Sequence, residues 1–384
     1  MNVLIAPNSF KQCLSAPRVG RAIAAGVRSA CPDAVISILP LADGGDGLLE
    51  VCAHCLGGDY IEEDAFDALA RPIRAAWLKV DEMAVIELAQ ASGLARLKGP
   101  EEYDPLIAST FGAGRLISCA LERGCRQIVV GLGGSATVDA GCGLAAALGF
   151  DLLDKNGKQI PPGGGNLHLL DKIGTSRRNP RLRKAEIVCL TDVRSPLLGP
   201  HGAARLFGPQ KGATEGQVEL LENNLAHWAG IVKRDLGLDV VEIAGAGAAG
   251  GSGAGCAAFF GAKPQGGAEW VGRQIGLEQA VMQADIIFTG EGRIDSQTGF
   301  GKIPEYVGRL AKKYGKRALA LGGSVERGTN LVSAGIAECR CINPPGISLA
   351  EAFRAAEKNL ALAAERVMME ENNRSQKPGV SSQN

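Results

Sequence analysis

What the chain lacks narrows it first. Its 384 residues carry 41 Lys+Arg against 41 Asp+Glu, so no excess charge draws it onto nucleic acid or an anionic membrane. No basic helix-turn-helix segment appears, which speaks against DNA binding. No apolar run is long enough to span a bilayer, and MNVLIAP is too short for a secretion signal, so a cytoplasmic protein with no membrane partner is expected. The phosphate loop G-x-x-x-x-G-K-[ST] is missing, as is any protein-kinase motif set, so ATP, if used, is used outside those classes. A disulfide framework is missing too. The eleven cysteines are odd in number and scattered, mostly in apolar surroundings (Cys31, Cys119, Cys142, Cys189, Cys256), as reduced buried thiols are. Cys52-Ala-His-Cys55 has redox or metal spacing, but no second matching pair follows, and it reads as one helix face.

What is present is the composition of a soluble globular protein, 46% hydrophobic and 21% charged, long enough for about two domains. Glycine, at 53 residues, clusters in particular turns, as close backbone approaches to a small ligand require. Val3–Pro7 reads as a buried strand, and Ser15-Ala16-Pro17 opens a helix to about Cys31. Val35–Leu41 is a strand ending at Ala42-Asp43-Gly44-Gly45-Asp46-Gly47, before a helix near Leu48. After Gly57-Gly58 the rhythm changes. Tyr60–Leu69, Pro72–Val80 and Ala84–Leu88 alternate as an antiparallel meander. From Leu277 strands and helices alternate again, with a strand at Asp285–Phe288, another at Ala318–Leu321, a last one at Cys339–Ile342 and a final helix Leu349–Met369. The expected fold is therefore α/β in two domains. Residues 1–60 and 272–370 form a Rossmann- or flavodoxin-like parallel-sheet domain, 61–271 a mixed α/β domain inserted into it, and 371–384 a disordered tail.

The chemistry gathers at glycine-rich strand ends. Ile128-Val129-Val130 runs into GLGGSATVDAGCG, Gly131–Gly143, where Gly133, Gly134, Ser135 and Thr137 have the strand–turn–helix layout in which bare N–H groups cradle phosphate. An ordinary tight connection with capping hydroxyls is the plain alternative. Five such clusters, at Lys11, Asp43, Ser135, Asp192–Lys211 and Glu291–Lys302, point to one crevice at the carboxyl ends of strands. Their mixture of N–H groups, cations and carboxylates is what phosphoryl transfer needs. Gly245, Gly247 and Gly250 form a formal G-x-G-x-x-G with Glu269 about twenty residues on, but it does not open the first βαβ unit and Lys263–Trp270 reads as polar loop. A close-packed glycine helix or substrate loop fits it better than a dinucleotide site.

Seven motifs in order, APNSFKQCLSA, PLADGGDGLLE, FGAGRLI, GLGGSATVDAGCG, FGPQKGAT, GAGAAGGSGAG and TGEGRIDSQTGFGK, resemble those of the bacterial class I glycerate kinases, from Val3 to about Leu362. Asp46 stands where that family commonly has Glu, and Asn8 where it often has Asp. The resemblance implies an ATP- and Mg²⁺-dependent kinase of D-glycerate, two α/β domains with the site between them, and 2-phosphoglycerate as product. With the site so located, Asp192 is the candidate for orienting or deprotonating the glycerate hydroxyl, a turn cap being its other role. Asp43 and Asp295 are candidates for Mg²⁺ or its waters. Lys11, Lys211 and Lys302 are candidates for neutralising phosphate, with Gly290 and Glu291 beside them, although each lysine could be a solvated surface residue. Arg293 suits the substrate carboxylate, or an ion pair with Glu291 or Asp295. The competing readings are an NAD(P)-dependent oxidoreductase of a small hydroxy acid using the Gly245–Gly250 turn, and a non-catalytic sugar-acid sensor. Oligomeric state stays open, a homo-oligomer included.

Overall fold

Val3, Leu4 and Ile5 are three apolar residues in a row, the pattern of a strand covered on both faces, and each is at most 1% exposed. The structure, a computed structural model, describes residues 1–295 and 302–376. In chain order its strands are β1 (Asn2–Ile5), β2 (Val35–Ile38), β3 (Asp59–Phe66), β4 (Pro72–Val80), β5 (Met83–Glu87), β6 (Gln127–Gly131) and β7 (Asp151–Leu153). After them come β8 (Lys172–Gly174), β9 (Glu186–Leu190), β10 (Pro264–Gln265), β11 (Ile286–Ile294), β12 (Arg317–Val325) and β13 (Ile336–Cys341).

The chain divides into two compact units, Met1–Ala42 together with the chain from Val271 on, and Asp43–Trp270. The break expected near residue 60 thus falls at residue 42. Residues 43–58 group with the second unit, where the Glu87 side chain, at the end of β5, accepts the N–H groups of Gly47 and Leu49 and ties down the helix Leu48–Leu56.

In the first unit all five strands are parallel, in the order β2-β1-β11-β12-β13. Counted along this unit alone the order is 2-1-3-4-5, the flavodoxin-like arrangement, with its switch point between β1 and β11. Val19, Ile23 and Val27 of the helix Ala16–Ala30 share a core with Leu360, Ala364 and Val367 of the helix Leu349–Gln376. That last helix continues to Gln376, past Met369, so residues 371–376 are helical where a disordered tail was expected. Residues 377–384 lie outside the described residues.

The second unit holds a six-stranded mixed sheet, β10-β9-β6-β5-β4-β3. Strands β3, β4 and β5 form the antiparallel meander, and β5, β6, β9 and β10 run parallel. Trp77, Ile86, Ile128, Val130, Leu221 and Trp228, each fully buried, lie in its core. The helix Glu215–Leu236 starts with a capping box between Thr214 and Gln217 and stops at Gly237, whose φ of 70° is in the left-handed region. The turn at Asp154–Lys158 forms as expected, Asp154 Oδ1 accepting from the N–H of Asn156 and Lys158. The regular partner of β7 is nevertheless the later strand β8, and only a single bridge joins Leu153 to Gln159.

Candidate functional site

In the unit 43–270, four parallel strands end side by side, and each ends in a polar or glycine segment: Glu87, Gly131–Ser135, Thr191-Asp192 and Gly266-Gly267. The loop Asp43–Gly47 packs against them. Gly44 accepts a hydrogen bond from the Gly133 N–H at 3.1 Å. A Cβ on Gly133 would lie 2.3 Å from the Cα of Gly45, so only glycine lets the two turns meet. Asp43 Oδ1 accepts from its own loop, the Gly45 N–H at 2.9 Å. Asp192 Oδ1 accepts the Gly267 N–H at 3.1 Å, and a Cβ on Gly267 would lie 2.3 Å from the Asp43 carbonyl carbon. Asp43 and Asp192 are thereby brought to the same glycine.

Lys211 reaches this unit's glycine turn from below. It is 2% exposed, and its Nζ donates to Ser135 Oγ at 2.8 Å and to the Thr137 carbonyl at 2.7 Å. Burial pushes its pKa down to about 7, while the carboxylate of Asp139 pulls the other way. Thr137 enters through its carbonyl. Its hydroxyl is buried and has no hydrogen-bond partner among the described residues. Gly134, with φ 73°, makes the turn that separates Ser135 from the strand.

Two further residues matter here. Asp139 is wholly buried, and its Oδ2 accepts from Thr110 N, Thr110 Oγ1 and Gly143 N while Oδ1 accepts from Gly141 N. It therefore joins the starts of the helices Phe111–Glu122 and Cys142–Ala147 to the phosphate-type turn. Burial raises its pKa against those four donors. Glu87, also buried and shifted upward by desolvation, holds the Asp43–Gly47 loop through Gly47 and Leu49. The signal for Glu87 was in the sequence: it is a lone carboxylate at the end of the apolar strand Ala84–Leu88.

The other unit carries its own cluster at its own switch point. Asn8 N–H donates to the Gly290 carbonyl at 2.8 Å, and Gly292 lies beside the backbone of Phe10 and Lys11. Gly290, Glu291 and Arg293 belong to β11 itself, which runs on to Ile294 instead of stopping at Phe288. Lys302 Nζ lies 3.4 Å from Asp295 and 3.8 Å from Glu291. Arg293 Nε lies 3.3 Å from Asp295. Asp295 is thus flanked by two cations, and Arg293 has the ion pair that was its alternative role. Residues 296–301 of the TGEGRIDSQTGFGK motif, Gly299 and Gly301 included, lie outside the described residues.

Among the described residues no group of three or more His, Cys, Asp or Glu side chains is arranged to hold a metal. Mg²⁺ needs no such cage, because it keeps several waters and takes one or two carboxylates together with substrate phosphates. Asp43, at the mouth of four strand ends, fits that role; Asp295 already balances Lys302 and Arg293.

The Gly245 fingerprint has a different use. Cβ atoms on Gly247, Gly250 and Gly253 would lie 2.3 Å from the Pro196 carbonyl, 2.0 Å from the Thr137 carbonyl and 2.1 Å from the Gly245 carbonyl. The glycines are filled by the protein's own backbone, with the kink at Ala249–Gly251 seated on the Gly131–Gly143 turn. Lys263–Trp270, expected as loop, holds β10 and the start of the helix Gly267–Gln274, and Glu269 sits in that helix and not at a strand end. The oxidoreductase reading loses its structural basis.

The family is decided by comparison with known proteins. The model of the glycerate kinase family matches residues 3–370. The chain belongs to the glycerate kinase family. It is 42% identical over 370 residues to the glycerate 2-kinase of Escherichia coli K12, covering 96% of this chain and 97% of that one. It is 40% identical over 367 residues to the glycerate kinase of Bacillus subtilis 168, covering 95% and 96%. The crystal structure of a proposed glycerate kinase 2 from Salmonella typhimurium LT2 matches with a TM-score of 0.87 and 38% identity, over 98% of this chain and all of that one. The fold is thus the two-domain α/β fold of this family.

Proposed function

We propose that this glycerate kinase family member transfers the γ-phosphoryl group of ATP to the 2-hydroxyl of D-glycerate, releasing 2-phosphoglycerate and ADP. It is a phosphotransferase with an alcohol as acceptor. The name of the Escherichia coli relative supports the 2-position. The observation that carries the reading is the convergence, in the unit 43–270, of a glycine turn backed by Lys211 with the Asp192 carboxylate and the Asp43 backbone, which meet at Gly267.

The roles follow from that arrangement. Gly134 and Ser135 receive phosphate oxygens through backbone N–H groups and one hydroxyl, Gly133 fixes the turn by donating its own N–H to Gly44, and Lys211 stands behind them. Asp192, held by the Gly267 N–H, accepts the proton of the attacking hydroxyl. Asp43 would hold Mg²⁺, which when bound neutralises phosphate charge. In the other unit, Lys302 lies between Glu291 and Asp295, with Lys11 as a further cation of that unit, and Arg293, paired with Asp295, is suited to take a carboxylate in exchange. Eleven free cysteines support a reducing compartment, the cytoplasm, and the product belongs to organic-acid catabolism.

The test is ADP release with D-glycerate, coupled to enolase, which consumes 2-phosphoglycerate directly. Signal with enolase alone is expected. No ADP release would sink the reading. Signal only after a phosphoglycerate mutase is added would move the acceptor to the 3-hydroxyl.

A further inference from the structure

Lys211 is an anomaly that phosphate binding alone does not explain. Its ammonium group has three N–H donors, and the described residues give it two acceptors, the Ser135 hydroxyl and the Thr137 carbonyl, both neutral. No carboxylate of the described residues lies within ion-pair distance of it, although the side chain is almost wholly buried. A buried charge normally demands a partner charge, or it gives up its proton. Of the groups packed against it, Asp139 on the same turn is the one whose charge acts on it, and that carboxylate is already the acceptor of five other hydrogen bonds. Tyr103 meets the neighbouring Gly212 through its backbone carbonyl.

The Ser135 hydroxyl belongs to the turn itself and is buried with Lys211. Its oxygen accepts from Lys211, which leaves its own O–H as a donor for a ligand at the turn. We propose that Lys211 is a proton-coupled counter-charge for the phosphate group held at Gly133–Ser135, acting through the Ser135 hydroxyl, so that phosphate and a proton bind together. The amine is neutral while the turn is empty. When an anion arrives, a proton from solvent joins the amine, and the ammonium polarises Ser135 toward the phosphate oxygen. Lys211 is thus a positioning residue, and Ser135 is the residue that touches the ligand. The inference rests on the kinase reading and adds to it the protonation state in which nucleotide is received. The downward shift of the amine toward neutrality agrees with it.

The experiment is isothermal titration of the full chain with MgATP, glycerate being withheld, in buffers of different ionisation enthalpy. At pH 8 close to one proton should be taken up per nucleotide, falling toward zero at pH 6, where the amine is already charged. Lys211→Arg keeps a permanent charge, so it should bind nucleotide without proton uptake. Lys211→Met should bind at least tenfold more weakly and also without uptake. Binding at pH 8 with no uptake by the wild type overturns the inference and leaves the kinase reading standing. Uptake that persists in Lys211→Met overturns it equally, because another group then takes the proton. Failure of the wild type to bind MgATP overturns both.

Discussion

Two lysines at the strand ends of two different sheets have been given opposite settings. Lys302 is about a third exposed and lies between Asp295 and Glu291, at 3.4 and 3.8 Å. Lys211 is buried against a serine and a carbonyl, with neither oxygen carrying charge. A cation between carboxylates is stable without ligand but presents little net field to an anion. A buried amine without a carboxylate presents its full charge once protonated, at the cost of being poorly tolerated when no ligand is there. The first lysine suits holding a structure; the second suits binding and release.

The comparison breaks most openly if the chemistry is not in the unit of Lys211 at all. Asp192→Asn should lower kcat by about 10²–10⁴-fold while leaving the KM for ATP within a few-fold. The substitution keeps one oxygen to accept the Gly267 N–H, so the loop should stay in place. Turnover within a few-fold of wild type would remove Asp192 as the base and weaken the case for this unit as the catalytic one.

Next comes the pair itself. Lys211→Met should reduce kcat/KM for ATP by about 10²-fold, the size of a lost charge-assisted hydrogen-bond set. Lys302→Met should cost about tenfold or less, since its charge is already balanced and partly screened. Steady-state kinetics on both variants decide the order. If Lys302 proves the more costly, then Asp295 and Glu291 are being neutralised for ligand binding, and the phosphate site belongs with them.

How much of this the sequence carried depends on range. The apolar run before Gly131, the meander of β3–β5 and the alternation after Leu277 are local patterns, and they appear where their periodicity puts them. The boundary at residue 42 was not local, because it depends on Glu87 reaching forty residues back to Gly47. Asp192 and Asp43 announce themselves as acids after apolar strands, but that they meet at Gly267 is a fact of tertiary folding. Lys211 could be named as a cation in a glycine-rich loop; its burial without a carboxylate could not, since nothing in FGPQKGAT distinguishes a solvated lysine from an interior one. Glycines 245–251 mislead for the same reason. A Cα that must approach a ligand and one that must approach its own backbone require the same residue.

Asp139 shows what the missing carboxylate at Lys211 is doing instead. Asp139→Ala strands the N–H groups of Thr110, Gly141 and Gly143, all buried, and should destabilise the protein by about 2–4 kcal/mol in denaturant unfolding. Asp139→Asn should cost distinctly less, because one oxygen can still accept the bonds made by Oδ2 and only the Gly141 N–H would face an amide. Equal costs would mean that its charge, and not its hydrogen-bond geometry, is what the fold uses, as a counter-ion for Lys211 would be.

The smallest effect is the most specific to Lys211. Its pKa in the folded protein is pushed down to about 7, below the ordinary lysine value of 10.5. Between those two values the unfolded chain binds the extra proton, so stability rises with pH across that window, by at most about 1.4 kcal/mol per pH unit. Below about pH 7 both states hold the proton and the contribution is flat. Other groups titrate in the same range, but they cancel when wild type is compared with Lys211→Met at each pH. The difference in unfolding free energy should therefore move in favour of the wild type from pH 7 to pH 9 and stay constant from pH 5 to pH 6. A difference that is flat throughout would mean that Lys211 is charged in the empty protein, with its charge balanced as fully as that of Lys302.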